Sequence, residues 1–316
     1  MSIKFFKAKS LSRASLITGL FVFLLLCEPV TSHAAAIGSQ VEPPQTVQKD
    51  DLMPGSSSLN KPLKNRYSFF LHKRNFLLPL SYNWQPHNEL YSGIAPQNNG
   101  ANPFYEKTEA EFQISFFAPL IESVFFEDFD LLLAYTHHAW WQLYNSSWSK
   151  PFRETNYAPE LFFRKAIELK EGNVKRFLFL DAGYIHESNG QFETLSRSWN
   201  RVFFRTHLST EKFLVVLSTW YRLPEKENQD ENPGIQDYYG YGDIALFYSV
   251  GSHTLDLKLP FSRSPGVEFG YSYPIKDFYR LYVNYKYGYG HSLIEYNKTI
   301  ERVGIGITLE GGMDRR

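Results

Sequence analysis

His186, Ser188 and Asn200 place a base, a hydroxyl and an amide in one short stretch, Tyr184 to Arg201, which reads Tyr-Ile-His-Glu-Ser-Asn-Gly-Gln-Phe-Glu-Thr-Leu-Ser-Arg-Ser-Trp-Asn-Arg. That set can perform nucleophilic acyl transfer: the imidazole takes the serine proton, and the third group holds the ring in the right tautomer. Taken singly, serine, histidine and asparagine near a loop are ordinary turn and capping residues. The elements that present them decide between the two readings. Here the flanks alternate as strands do, unlike the strand, sharp turn and helix around the nucleophile of a soluble esterase.

Side chains two apart on a strand point the same way. His186 and Ser188 therefore share a face with Tyr184, Ala182, Leu180 and Leu178, while Asp181 lies opposite. On the next strand Asn200 shares parity with Val202, Phe204, Thr206 and Leu208, and Arg201, Arg205 and His207 lie on the other side. All three candidates thus belong to the apolar faces of two successive strands. Polar groups on such a face cost free energy unless they bond one another or serve a purpose.

The same alternation recurs after Arg66. Phe112, Ile114 and Phe116 face away from Glu111, Gln113 and Ser115, and Leu131, Leu133 and Tyr135 continue the pattern. Near the end Leu281, Val283, Tyr285 and Tyr287 alternate with Tyr282, Asn284 and Lys286, then Val303, Ile305, Ile307 and Leu309 follow. About twelve such segments can be counted, separated by Asn, Gly, Pro and Asp clusters, an even number that closes a sheet without edges. Residues 224 to 237, charged and flanked by prolines, read as a loop between two strands. A soluble sandwich also alternates. Export and the aromatics expected near strand ends (Trp140, Trp141, Trp199, Trp220, Tyr238, Tyr239, Tyr241) favour an all-β, antiparallel transmembrane barrel.

Bulk properties agree. The chain has 316 residues, 17% of them aromatic, and a formal net charge of zero, so no nucleic acid or other polyanion is implied as partner. Lys4, Lys7, Lys9 and Arg13 precede the apolar run Leu16 to Leu26, and small residues follow, which is the pattern of a secretory signal over 1–36 with cleavage after Ala34 or Ala36. The single cysteine, Cys27, lies within that signal, so the exported protein is expected to carry no thiol. Residues 37–66 read as a flexible segment, 67–309 as the barrel and 310–316 as a tail.

At the level of motifs the chain resembles the outer-membrane phospholipase A family of Gram-negative bacteria. His186-Glu-Ser188-Asn-Gly190 with Ser196-Arg-Ser-Trp-Asn-Arg201 is similar to its active-site signature. Trp140-Trp-Gln-Leu143, Pro151-Phe-Arg-Glu-Thr-Asn-Tyr157, Gly288-Tyr-Gly-His-Ser-Leu-Ile-Glu-Tyr-Asn297 and Arg302-Val-Gly-Ile-Gly306 are similar to further blocks of it. The resemblance implies a twelve-stranded barrel that hydrolyses acyl esters of phospholipids and lysophospholipids. It further implies dependence on calcium and activation by homodimerisation in the outer membrane. By that similarity Ser188 is the nucleophile, His186 the base and Asn200 the group that orients it. Calcium would be held by the main-chain carbonyl of Gln191, the hydroxyl of Ser196 and a carbonyl of Ser149 of the partner subunit. With a bound water and the Ser188 amide, the ion would stabilise the oxyanion.

His137 stands where family members can carry a glutamine that pairs across the dimer. A histidine pairing there would make activity fall in mild acid more steeply than titration of His186 explains; the alternative is an interfacial histidine with no dimer role. Glu187 and Glu193 read as solvated rim charges. The inward set Asp181, Arg201, Arg205, His207 and Lys286 would either fill a small lumen with ion pairs or line a narrow pore. A catalytically silent barrel or pore, and a soluble esterase on a sandwich, are the rival functions, and neither needs a nucleophile on a lipid-facing wall.

Overall fold

The computed structural model describes residues 69–91, 105–124, 129–171, 174–210, 212–264, 266–276 and 278–309. The expected signal, the segment 37–66 and the tail 310–316 lie outside the described residues. No helix among the described residues is long and apolar enough to cross a membrane.

Thirteen strands form: β1 (Phe70–Leu71), β2 (Asn75–Asn83), β3 (Thr108–Ser123), β4 (Phe129–Trp141), β5 (Phe152–Glu171), β6 (Val174–Ser188), β7 (Ser198–Ser209), β8 (Phe213–Arg222), β9 (Gly242–Val250), β10 (His253–Pro260), β11 (Gly266–Lys276), β12 (Tyr279–Gly288) and β13 (Ile300–Leu309). From β2 onward each strand pairs antiparallel with the next, and β13 returns to β2 through pairs such as Ile305 with Leu80. The sheet is therefore a closed antiparallel barrel of twelve strands. The two residues of β1 lie along β3, with Phe70 opposite Phe117. Closure pairs the backbone of every strand, which is what allows strands to sit in hydrocarbon. One short helix, α1 (Ile235–Tyr239), lies in the connection from β8 to β9.

The two faces of the wall follow the period of two. Leu133, Leu161, Val202, Phe204, Leu217 and Ile305 stand exposed on the outside. Inside, charges are buried and paired. Arg164 makes two bonds to Asp181 (2.7 and 2.8 Å), and His207 adds a third at 3.1 Å. Glu111 receives Lys286 at 3.0 Å and His138 at 2.9 Å, and Glu160 receives Arg205 at 3.0 Å. A charge taken from water is tolerated only with such partners. Of the two uses expected for Asp181, Arg205, His207 and Lys286, ion pairing is the one adopted, and a cavity of about 530 Å³ remains beside it.

The aromatics expected near the interfaces divide by parity. Trp140 and Trp199 face inward and are 0% exposed, and Trp220 also lines the interior. Tyr239 packs on Trp199 with ring centroids 5.2 Å apart. Trp140, Trp199 and Trp220 lie near strand ends as expected but have the parity of buried neighbours and so face the interior, where Tyr239 of α1 joins them; Trp141, one residue past Trp140, points out and stacks on Phe152.

The motif blocks that lie far apart in the chain meet at the mouth of the barrel. The β12–β13 connection is drawn in, so that Leu293, Ile294, Glu295 and Tyr296 are buried. Arg153 pairs with Glu295 at 2.9 Å, Asn156 accepts the Leu293 amide at 3.1 Å, Glu154 accepts the Ile294 amide at 3.2 Å, and the Trp140 indole donates to His291 at 2.9 Å. This plug also supports the loop that follows β6, since Leu195 packs with Ile294, Tyr91 and Tyr105 in one apolar cluster.

Candidate active site

β6 and β7 pair in a register that sets His186 opposite Asn200 and Ser188 opposite Ser198, with Tyr184 opposite Val202. β5 supplies the other flank, where Tyr157 is opposite Ser188. The three candidates therefore share the outer wall. Each is half-buried by its neighbours rather than enclosed.

Nδ1 of His186 lies 2.9 Å from Oδ1 of Asn200. An amide oxygen only accepts, so the ring proton sits on Nδ1 and Nε2 carries the free lone pair. That is the tautomer a general base needs. The Tyr184 hydroxyl also donates to Asn200 Oδ1, and Asn200 Nδ2 donates to Glu225 Oε1 at 3.3 Å. Ser188 is two residues beyond His186 on the same face. Among the described residues no hydrogen bond joins its hydroxyl to the ring; catalytic contacts of this kind commonly tighten only when substrate is bound.

The loop from Asn189 to Arg197 carries the two residues expected to meet a metal. Its geometry depends on Asn189, which is 1% exposed. Asn189 Nδ2 donates to the Leu195 carbonyl at 2.8 Å, and its Oδ1 accepts the amides of Gln191 at 3.2 Å and Arg197 at 2.9 Å. The Asn189 amide donates to the Arg197 carbonyl at 3.0 Å. Gly190 has φ of +64°, and a Cβ there would stand 3.1 Å from the Tyr157 ring, so the turn favours glycine on both counts. A single 3₁₀ turn, Glu193–Leu195, then brings the chain back to Ser196. Arg197 Nη1 binds the carbonyls of Thr194 at 2.9 Å and Ser196 at 2.6 Å. With its carbonyl occupied, Ser196 has its hydroxyl left to offer a ligand. Gln191 is exposed.

Ser149 closes the 3₁₀ turn Ser146–Trp148 with φ of +56°, and Lys150 follows at +53°. The Lys150 carbonyl accepts the Trp141 indole at 2.9 Å, and its amide donates to the Asn145 carbonyl at 3.1 Å. Two successive left-handed residues without glycine mark a strained turn, of the kind concentrated at functional sites. His137 lies on the outer wall of β4 opposite Tyr157, with ring centroids 4.9 Å apart, and its Nε2 is buried with no hydrogen-bond partner.

One reading of charge changes. Glu187, expected as a solvated rim residue, points inward, accepts the Trp199 indole at 3.1 Å and pairs with Arg201. Its opposite parity to His186 is the reason. Glu193 is exposed, as expected. Asn189, Arg197, Tyr184 and Glu225 were not legible as site residues: the first two lie inside the motif without a recognisable role, Tyr184 reads as one more aromatic on a greasy face, and Glu225 sits in a charged loop.

The model of the Phospholipase A1 family matches residues 57–309, which include every described residue. Phospholipase A1 of Escherichia coli K12 is 40% identical over 207 residues, 64% of this chain and 70% of that one. Phospholipase A1 of Klebsiella pneumoniae is 36% identical over 248 residues, 75% of this chain and 84% of that one. Among solved structures, outer membrane phospholipase A from Escherichia coli superposes with a TM-score of 0.71 at 32% identity, covering 81% of this chain and 96% of that one. The Salmonella typhi outer membrane phospholipase dimer with bound calcium gives 0.70 at 32% identity and the same coverage. With its closed twelve-stranded barrel and its sequence both converging on one group of proteins, this chain belongs to the Phospholipase A1 family.

Proposed function

We infer that this chain is an outer-membrane phospholipase that cleaves acyl ester bonds of phospholipids and lysophospholipids by a Ser188–His186–Asn200 mechanism. The observation that carries the reading is the His186 Nδ1 to Asn200 Oδ1 bond on the outer wall, with Ser188 on the same face. A lipid lying against this wall presents its ester at the depth of the triad without leaving the membrane. Ser188 Oγ attacks the acyl carbonyl while His186 Nε2 takes the hydroxyl proton. The imidazolium is held by Asn200 and returns that proton to the departing alcohol oxygen. Water then enters by the reverse route and releases the fatty acid. The plugged mouth and the paired interior charges favour this enzyme over a passive pore, and lipid-facing polar residues favour it over a soluble esterase.

Calcium fits the donors present, which are oxygens of the kind a hard cation prefers: the Gln191 carbonyl, the Ser196 hydroxyl and, across a homodimer, the carbonyl of Ser149 of the partner subunit. One ion per site would supply positive charge against the developing oxyanion. Asn189 holds the first two donors in one loop, and engagement of the Lys150 carbonyl by Trp141 supports Ser149 as the donor of its own turn. Because the partner contributes a ligand, metal affinity and dimerisation are thermodynamically linked. The test uses purified protein in detergent with phospholipid, with calcium or chelator. Calcium-dependent turnover that Ser188→Ala abolishes supports the reading. Equal and negligible turnover in both proteins overturns it.

A further inference from the structure

An amide in the third position of a triad has a weakness that a carboxylate lacks. Rotated half a turn, Asn200 would present its NH₂ group to His186, Nδ1 would have to accept, and the ring proton would move to Nε2. In that state Nε2 cannot take the proton of Ser188. Something must therefore hold the oxygen toward the ring. The Tyr184 hydroxyl does not decide the matter alone, because a phenol both donates and accepts. A carboxylate only accepts, and one stands on the far side of the amide: Glu225 Oε1 receives Asn200 Nδ2 at 3.3 Å.

Glu225 is itself fixed. Its side chain is 19% exposed, and Arg222 Nη2 donates to its second oxygen at 3.4 Å while holding Asp230 at 2.7 Å. The backbone is tied as well, since the Leu223 amide donates to the Asn200 carbonyl at 2.8 Å and so lays the β8–β9 connection against the end of β7. We propose that Glu225 is a positioning residue of the active site, which locks the Asn200 amide with its oxygen toward His186 and thereby sets the tautomer of the base. Its charge also polarises the amide, so that the oxygen becomes a better acceptor as the imidazolium forms. The inference rests on the triad reading given above.

The experiment compares wild type with Glu225→Gln, Glu225→Met and Ser188→Ala in detergent with calcium and a long-chain ester, and repeats Glu225→Met in an Asn200→Asp background. Thermal unfolding is measured for each. Glutamine keeps an acceptor and methionine keeps only the length. The expected result is a kcat lower by about tenfold or more for Glu225→Met with little change in KM, and an intermediate loss in Glu225→Gln, whose side chain can still accept but no longer does so exclusively and carries no charge. With aspartate at position 200 there is no donor end to present, so the same Met substitution is expected to cost less than about threefold. Wild-type rates in Glu225→Met while Ser188→Ala is inactive overturn the proposal and leave the triad standing. So does an equal loss with Asn and with Asp at position 200, since that means that Glu225 acts only by shaping its loop. Turnover that survives Ser188→Ala overturns the triad and this proposal with it.

Discussion

Asp181 and Glu187 point into the barrel from the same strand that points His186 and Ser188 out of it. The inward pair is charged and fully engaged, Asp181 by Arg164 and His207, Glu187 by Arg201 and Trp199. The outward pair contains no carboxylate and carries few contacts: His186 has Asn200, and the Ser188 hydroxyl is left available. The two faces of β6 thus answer the same difficulty, polar groups away from water, in opposite ways. Inside, each charge is neutralised and its removal is a question of stability. Outside, groups that can be buried neutral are kept few, and their removal is a question of chemistry.

This contrast makes firm expectations. The largest effect is that of Ser188→Ala, which should lower turnover by about 10⁴-fold or more while leaving thermal unfolding of the barrel unchanged. A barrel destabilised by this change would mean that the outward serine is structural. The mirror image is Asp181→Leu, which leaves the buried Arg164 without its two bonds. It should lose about 3–5 kcal/mol in equilibrium unfolding from detergent or lipid. Adding Arg164→Met should recover much of that, because an apolar pair can replace a buried ion pair, and failure to recover would show that the guanidinium has another role.

Smaller effects separate the loop from the triad. Asn189→Ala removes three side-chain hydrogen bonds from the loop that carries Gln191 and Ser196. The calcium concentration for half-maximal activity should rise about tenfold, with kcat at saturating calcium within about threefold of wild type. A fall in kcat that calcium cannot restore would place Asn189 with the triad instead. The mildest is His137→Gln, expected to leave the fold intact and to alter dimer affinity and the acid limb of the activity profile together. If sedimentation in detergent and the pH profile are both unchanged, His137 is an interfacial residue with no dimer role.

Parity explains how much was legible in advance. Strand positions near Phe112, Leu133, Asn200 and Ile305 alternate without interruption, so the two-faced strands and the shared apolar face of the triad follow from counting by two, while the choice of a barrel over a sandwich needed export and the family resemblance as well. The same rule applied to Trp140, Trp199 and Trp220 turns them inward, a consequence that their expected position near strand ends left undrawn. Glu187 likewise reads as a loop charge until the strand is seen to run to Ser188, one residue beyond it. Contacts between distant segments are of another kind. Nothing local links Arg153 to Glu295, Leu195 to Ile294, or Asn200 to Glu225, since each depends on how a loop packs against its neighbours.

By itself the sequence determined the alternating strands, their apolar faces, and the shared face on which His186, Ser188 and Asn200 stand, because a period of two is a property of backbone geometry that each strand carries alone. Only the tertiary structure decided which charges pair in the interior, how the mouth is plugged, how Asn189 shapes the loop and which carboxylate sits behind Asn200. Those depend on through-space contacts between strands and between loops, and a period of two says which face a side chain takes but not which partner it meets there.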